Sequence, residues 1–382
     1  MKKLVFTLKT ILLVFMALLI FQVKPNIARG ATSGDYQYSL NGNKATITKY
    51  VGFGDNITIP ATIDGYIVTG IGNSAFSFCT RLKSITLPDS ITSIGQNAFW
   101  DCTSLASVTI PNSITSIGSY TFSFCTNLTR ITLPHGVASI GNYAFYKCTS
   151  LTSITLPDSV TSIGDSVFSY CTSLTSITIS HGVTSIGNYA FYKCTSLTSI
   201  TLPNSITSIG EGVFWNCTSL TSVAIPNSVI GIGNSAFSFC TNLTRINLPN
   251  SVTNIGQGAF WNCTSLTSVT IPNSVISIGN SAFSFCTNLA NITISHGVTS
   301  IGSYAFYKCT RLTRITLPDS VTSIADSAFS DCTSLSSAKF LGNAPTMGNY
   351  EFAGCDLRFK IYYLAGKKGF TNPWYGYTTE PT

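Results

Sequence analysis

The sequence predicts a repeat solenoid, mostly β, of about 12–13 stacked 23-residue coils. Three observations carry this. All 13 cysteines lie 23 residues from the next, from Cys79 and Cys102 on to Cys332 and Cys355. The unit between them repeats its apolar positions in fixed phase, as in Leu151, Ile154, Leu156, Val160, Ile163 and Phe168 after Cys148. In Thr152-Ser153-Ile154-Thr155-Leu156, apolar and polar residues alternate until Pro157, the signature of a half-buried strand closed by a residue without an N–H. One such unit is too small to bury a core, so coils must stack on their neighbours and the two ends must be covered.

Residues 1–30 read as a secretory signal peptide. Lys2 and Lys3 precede an apolar run from Ile11 to Phe21, and Ala28-Arg29-Gly30 places small residues where a signal peptidase reads. The alternative, a retained anchor helix, is disfavoured because the run is short for a bilayer and ends near Pro25. The mature chain is therefore expected outside the cell, secreted or held at its surface, with no integral membrane span. The formal charge of +7 belongs mostly to this leader, because its removal leaves 16 basic against 14 acidic residues. No cationic stripe remains for a phosphate backbone, which argues against nucleic acid as a partner.

Residues 31–55 are expected to form an N-terminal β cap. Asp35 to Leu40 and Ala45 to Tyr50 alternate in character around Asn41-Gly42-Asn43, a strand–turn–strand pattern. The solenoid is assigned to residues 56–355. Its first coil is irregular: Ile57-Thr58-Ile59-Pro60 matches the main strand, but five extra residues surround Asp64-Gly65 before Ile71.

In the regular coils a second short extended stretch, Val160 to Ile163, turns at Gly164, and the segment through Phe168 suits a short helical or 3-10 turn. Copies of the main strand should stack into one long parallel sheet. A two-coil super-repeat is visible, since His135–Gly164 and His181–Gly210 differ only at positions 184, 204 and 206 of the second copy. Residues 356–382 lose the unit and become aromatic, as a C-terminal cap over the last coil would.

Cysteines in an exported protein suggest disulfides, but a single phase argues otherwise. Equivalent residues on successive coils stand about 4.8 Å apart with parallel Cα–Cβ bonds, which suits a disulfide poorly, and the odd count leaves one unpaired. They are read as a buried ladder of free thiols. His135, His181 and His296 share a phase at least two coils, about 10 Å, apart, too far to share an ion, and read as turn residues. No cofactor motif, metal cluster or nucleophile–base arrangement is recognisable, so no catalytic, cofactor or metal residue is assigned and an enzyme is not expected.

The unit L-x-x-I-T-[LI]-P-x-S-V-T-S-I-G-x-x-A-F-x-x-C resembles the BspA-like class of bacterial leucine-rich repeats, from Asp35 to Trp374. The resemblance implies an exported recognition scaffold without enzymatic activity. It supplies no ligand and no residue-level site.

The outward positions of the main strand are the natural recognition face. They carry mostly serine and threonine, among them Thr132, Thr155, Thr178 and Thr201, with Arg130, Arg245, Arg314 and Asn247 breaking the pattern. Arginine's planar donors suit an extended protein or glycan partner. A secondary candidate is the aromatic row containing Trp100, Trp215 and Trp261, whose bland alternative is coil-to-coil packing. The expected function is protein recognition, including adhesion to host or matrix proteins; the alternative is a structural, glycan, cell-wall or ice-binding solenoid using the Ser/Thr lattice.

Overall fold

The computed structural model describes residues 30–382, so the expected signal segment lies, apart from Gly30, outside the described residues. Two rows of short parallel strands run along the coils. In the main row, Ser153–Thr155 pairs with Ser176–Thr178 residue for residue at an offset of 23. In the second row, Ser139–Ile140, Ser162–Ile163 and Ser185–Ile186 pair in the same way. The strict period forces this register: like meets like, so Ile154 and Ile177 both point inward and are buried while Thr155 and Thr178 are exposed.

The main row is not the single long sheet the sequence predicts. It divides into Asn56–Thr58 to Ser107–Thr109, then Ser153–Thr155 with Ser176–Thr178, then Ser199–Thr201 to Asn291–Ile294, then Arg314–Leu317 to Thr379–Pro381. Strands of three or four residues hold few ladder bonds, so a small rotation between coils is enough to lose them. The coil carrying Arg130 keeps only one bridge, Thr109 to Thr132.

No helix forms among the described residues. The segment expected to make a short helical turn is a run of linked turns. Ala144, Tyr146 and Cys148 donate their N–H groups three residues back, to Gly141, Tyr143 and Phe145. The intervening Tyr143, Phe145 and Lys147 donate instead to Asp165, Val167 and Ser169 of the next coil. This alternation needs a left-handed backbone twice per coil, at Tyr143 (φ 59) and Lys147 (φ 58), then at Ser166 (φ 54) and Tyr170 (φ 61). Such φ values cost a non-glycine residue roughly 1 kcal/mol or more. The bond each of these N–H groups makes to the next coil offsets that cost.

Close approach of the coils also explains the fixed phase of the Ile-Gly pair along the chain. A Cβ on Gly164 would stand 2.7 Å from the Asn142 backbone nitrogen and 2.9 Å from the Gly141 carbonyl carbon. The core is a column of stacked rings from Phe76 through Phe168 to Phe352, with centroids such as Phe145–Phe168 at 5.6 Å and Phe260–Phe283 at 5.1 Å. Beside it runs the cysteine ladder, free throughout and buried from Cys102 to Cys332.

The ends are built differently. At the N-terminus Ala31–Ser33, Tyr36–Asn41 and Lys44–Tyr50 form an antiparallel meander. Lys44–Tyr50 then pairs in parallel with Tyr66–Ile71, which leads into the second row through Ser93–Ile94. The five extra residues make a tight hairpin between Thr62–Ile63 and Tyr66–Ile71, with Asp64 (φ 50) and Gly65 (φ 85) at its tip. At the C-terminus Lys360–Tyr363 and Thr379–Pro381 extend the main row by two strands, so the tail is more than a lid. Phe370 and Trp374 pack on Phe340, and Tyr377 packs on Phe352.

Candidate functional site

The outward face of the main strands separates from the rest of the Ser/Thr population by hydrogen bonding. Most hydroxyls elsewhere in the coil serve the stack: Thr149 Oγ1 donates to the Thr126 carbonyl (3.3 Å), Thr161 to Ala138 (3.3 Å) and Ser251 to Val229 (2.6 Å). Thr132, Thr155, Thr178 and Thr201 are exposed and make no side-chain hydrogen bond among the described residues. The lattice is therefore real but confined to one face, and it is interrupted between Thr178 and Thr201, where the ladder lapses.

Arg130, Arg245, Arg314 and Asn247 lie on the same face, all exposed. In register, Arg245 stands between Ser222 and Ser268, Asn247 beside Ala224, and Arg314 beside Ser337. None of the three arginines forms an ion pair among the described residues. Arg130 is unlike the other two, because the broken ladder beside it opens a shallow cleft of about 330 Å³ bordered by Arg130, Thr132, His135, Ser153 and Thr155. The three arginines are not brought together; Arg130 and Arg314 stand eight coil steps apart, about 40 Å.

His296 sits in the phase of His135 but is engaged, its Nδ1 lying 2.7 Å from Asp319 Oδ1, and this contact holds the Asp319 carboxyl below the usual carboxylate range. Among the described residues no group of three or more His, Cys, Asp or Glu side chains is placed to hold a metal ion. No helix of the described residues is long and apolar enough to cross a membrane.

On the turn side, the aromatic row forms a herringbone. Phe78 meets Trp100 edge-on at 4.6 Å, Phe124 meets Tyr146 at 5.4 Å, Tyr192 meets Trp215 at 5.4 Å and Phe239 meets Trp261 at 4.9 Å. Lys147, Lys193 and Lys308 lie over these rings, with Lys147 Nζ 4.7 Å from the Phe124 centroid and Lys193 Nζ 4.9 Å from that of Tyr170. Trp100, Trp215 and Trp261 are thus half-buried members of a packed ladder, the arrangement that coil-to-coil packing calls for.

Sequence reasoning missed one further ladder. Asn142, Asp165 and Asn188, each following the Ile-Gly pair, accept through Oδ1 the backbone N–H of the equivalent residue one coil on, at 2.8–2.9 Å. Alignment in the 23-residue frame shows Asn or Asp recurring there, which was the available signal.

A family model of the BspA type leucine rich repeat region, in six copies, matches residues 54–175, 161–272 and 253–368. The chain belongs to the BspA type leucine-rich repeat family. It is similar to a leucine-rich repeat protein from Bacteroides ovatus, 28% identical, covering 92% of this chain and 99% of that one, with a TM-score of 0.74. A leucine rich cell surface protein from Faecalibacterium prausnitzii is 32% identical over 83% of this BspA-type chain and 96% of its own, with a TM-score of 0.49. A leucine-rich repeat protein from Eubacterium ventriosum shares the fold at 22% identity, covering 86% and 95%, with a TM-score of 0.51. A search of curated proteins finds no match. As a BspA-type repeat array, the chain has the scaffold of an interaction protein.

Proposed function

We propose that this BspA-type solenoid is an exported recognition module that binds an extended, acid-bearing extracellular protein across the outward face of its main strands. One observation carries the reading: Arg130, Arg245 and Arg314 are exposed at a single phase with no ion partner among the described residues. The outward positions also include Lys339, and from Ser84 to Lys339 they include no Asp or Glu. Unpaired guanidinium groups on a wholly non-acidic face suit carboxylates on a partner and steer their approach. Export rests on the leader-like residues 1–30.

Residues 31–382, immobilised and offered purified extracellular-matrix proteins, host cells and bacterial cell wall, test the reading. Replacing Arg130, Arg245 and Arg314 together by Ser, the commonest residue at that phase, should leave folding intact and weaken protein binding. Each charge-assisted hydrogen bond an arginine makes to the partner is worth about 1–3 kcal/mol if desolvated. Unchanged binding in this triple variant, with loss on changing Trp100, Trp215 and Trp261, would move recognition to the aromatic side.

A second reading keeps the unengaged hydroxyls of Thr155, Thr178 and Thr201 as a lattice for cell wall or ice. Ala224, Asn247 and Lys339 interrupt that lattice, and selective retention on cell wall would favour it.

A further inference from the structure

On the turn side, four successive coils from Gly212 to Ser281 depart from the coils that flank them. Five residues before each cysteine, several coils carry tyrosine: Tyr120, Tyr143, Tyr189 and Tyr304. Tyr143, Tyr189 and Tyr304 pack edge-on against the aromatic residue three positions later, at 5.6–6.1 Å. Between Tyr189 and Tyr304 the same phase reads Gly212, Ser235, Gly258 and Ser281. Trp215 is nevertheless covered, because Tyr189 leans forward over Gly212 and its ring lies 6.2 Å from the indole. Trp261 has no such cover: its own coil offers Gly258 and the preceding coil Ser235.

The missing rings leave a cleft of about 400 Å³ beside Trp261, within the size range of small-molecule sites, roughly 300–1,000 Å³. Its other borders are Glu211, Asn234, Gln257, Ser235 and Ser281. The polar groups are oriented by the fold. Asn234 Oδ1 accepts the Gln257 backbone N–H at 2.9 Å, leaving its amide Nδ2 to face outward bonding. Glu211 accepts the Tyr189 hydroxyl, which fixes its carboxylate. The Gln257 carboxamide has no partner among the described residues.

We propose that this cleft is a binding subsite for a neutral saccharide. A pyranose ring has an apolar C–H face and a rim of hydroxyls. The first suits the flank of the Trp261 indole, and the second suits planar amide and carboxylate groups that can donate and accept in pairs. The Glu211 carboxylate disfavours sulfated and carboxylated sugars. The cleft lies on the turn side, apart from the strand face, so it stands or falls independently of the protein-binding reading.

The fold supplies a blocking variant. Gly258 has φ +60, the conformation Tyr143 (φ 59), Tyr189 (φ 57) and Tyr304 (φ 58) hold at the same phase. A Cβ there would meet nothing closer than Ser235 Oγ at 3.5 Å and Trp261 Cβ at 3.7 Å. Gly258→Tyr should therefore fold and fill the cleft without deleting any side chain that borders it. Residues 31–382 would be titrated by calorimetry with cellohexaose, chitohexaose, mannohexaose, xylohexaose and maltohexaose, with a heparin hexasaccharide as the acidic control.

The expected result is binding of at least one neutral hexasaccharide, weakened about tenfold or more, equivalent to about 1.4 kcal/mol, by Gly258→Tyr and by Gln257→Ala at unchanged melting temperature. Should Gly258→Tyr not fold, Gln257→Ala and Trp261→Ala make the same test. Binding of none of the neutral sugars, binding of the heparin fragment alone, or equal binding by the variants overturns the proposal.

Discussion

The Sγ of Cys148 donates to the carbonyl oxygen of Phe122, 3.1 Å away and 26 residues back in the preceding coil. The same bond recurs from Cys171 to Phe145 and from Cys332 to Phe306. Each thiol therefore ties one coil to the one before it, which explains why a small, weakly polar side chain is repeated at this phase. Thiol titration of residues 31–382, denatured without reductant, should find all 13 cysteines free. In the native state Cys102 to Cys332 should resist the reagent. About six disulfides and one free thiol would contradict the ladder.

Alkaline pH should unfold the protein. Burial, with neighbouring thiols adding to it, pushes Cys148, Cys194 and Cys263 well above the ordinary thiol range, and burial moves Cys286 to about 12. These groups stay neutral when folded and ionise near pH 8.5 when unfolded, so the unfolded chain binds fewer protons above that value. Stability is then fully present below about pH 8.5 and falls by up to about 1.4 kcal/mol per pH unit for each such thiol. Thermal melts between about pH 7 and pH 10.5 should show a steep decline; a flat profile through about pH 10 would refute it.

The left-handed positions should respond in opposite directions to two substitutions. Ser166 has φ 54, so Ser166→Gly removes strain and should stabilise by about 0.5–1 kcal/mol. Ser166→Val adds a β-branched side chain and should destabilise by about 2 kcal/mol. Urea midpoints at constant m-value report both. A neutral valine variant would mean the turn relaxes without cost.

Whole coils should be dispensable and the ends should not. Removing Cys171 to Lys193 leaves equivalent residues facing each other and should give a shorter, soluble solenoid. Removing residues 356–382 strips Lys360–Tyr363 from Ser337–Phe340 and uncovers Phe340 and Phe352, so it should aggregate. Light scattering and melting of both deletions decide the point; the reverse outcome would show that coils are not interchangeable.

The coil was legible because its marks are periodic. Alternation placed the strand at Ser153–Thr155, and the single phase of cysteine placed it in the core. What escaped the sequence depends on relations between coils. Nothing in Tyr143 or Lys147 announces a left-handed backbone, since tyrosine and lysine have no preference for it; the next coil's carbonyls impose it. The ladder break beside Arg130, where only the Thr109–Thr132 bridge remains, is a relation between coils to which a residue pattern is blind. The cleft at Trp261 was within reach, because Gly212, Ser235, Gly258 and Ser281 occupy the tyrosine phase, but its depth depended on where Tyr189 leans.

The linked turns have an electrical consequence. Tyr143, Phe145 and Lys147 aim their N–H groups at the following coil, whereas Ser150, Thr152, Thr161 and Gly164 aim theirs at the preceding one. The peptide dipoles on the two flanks of a coil therefore oppose each other along the axis, unlike those of an α-helix, which add. Charge separation does not accumulate as coils are added, so tandem duplication can lengthen the rod without polarising its tips. Each tip must instead be sealed with both kinds of group: Tyr50 offers an N–H to Ala75 at one end, and at the other the Tyr377 oxygen receives Phe352 while Leu364 donates to Phe340. Each terminal segment is consequently a seal that has to supply donors and acceptors at once, matched to the one coil face it covers.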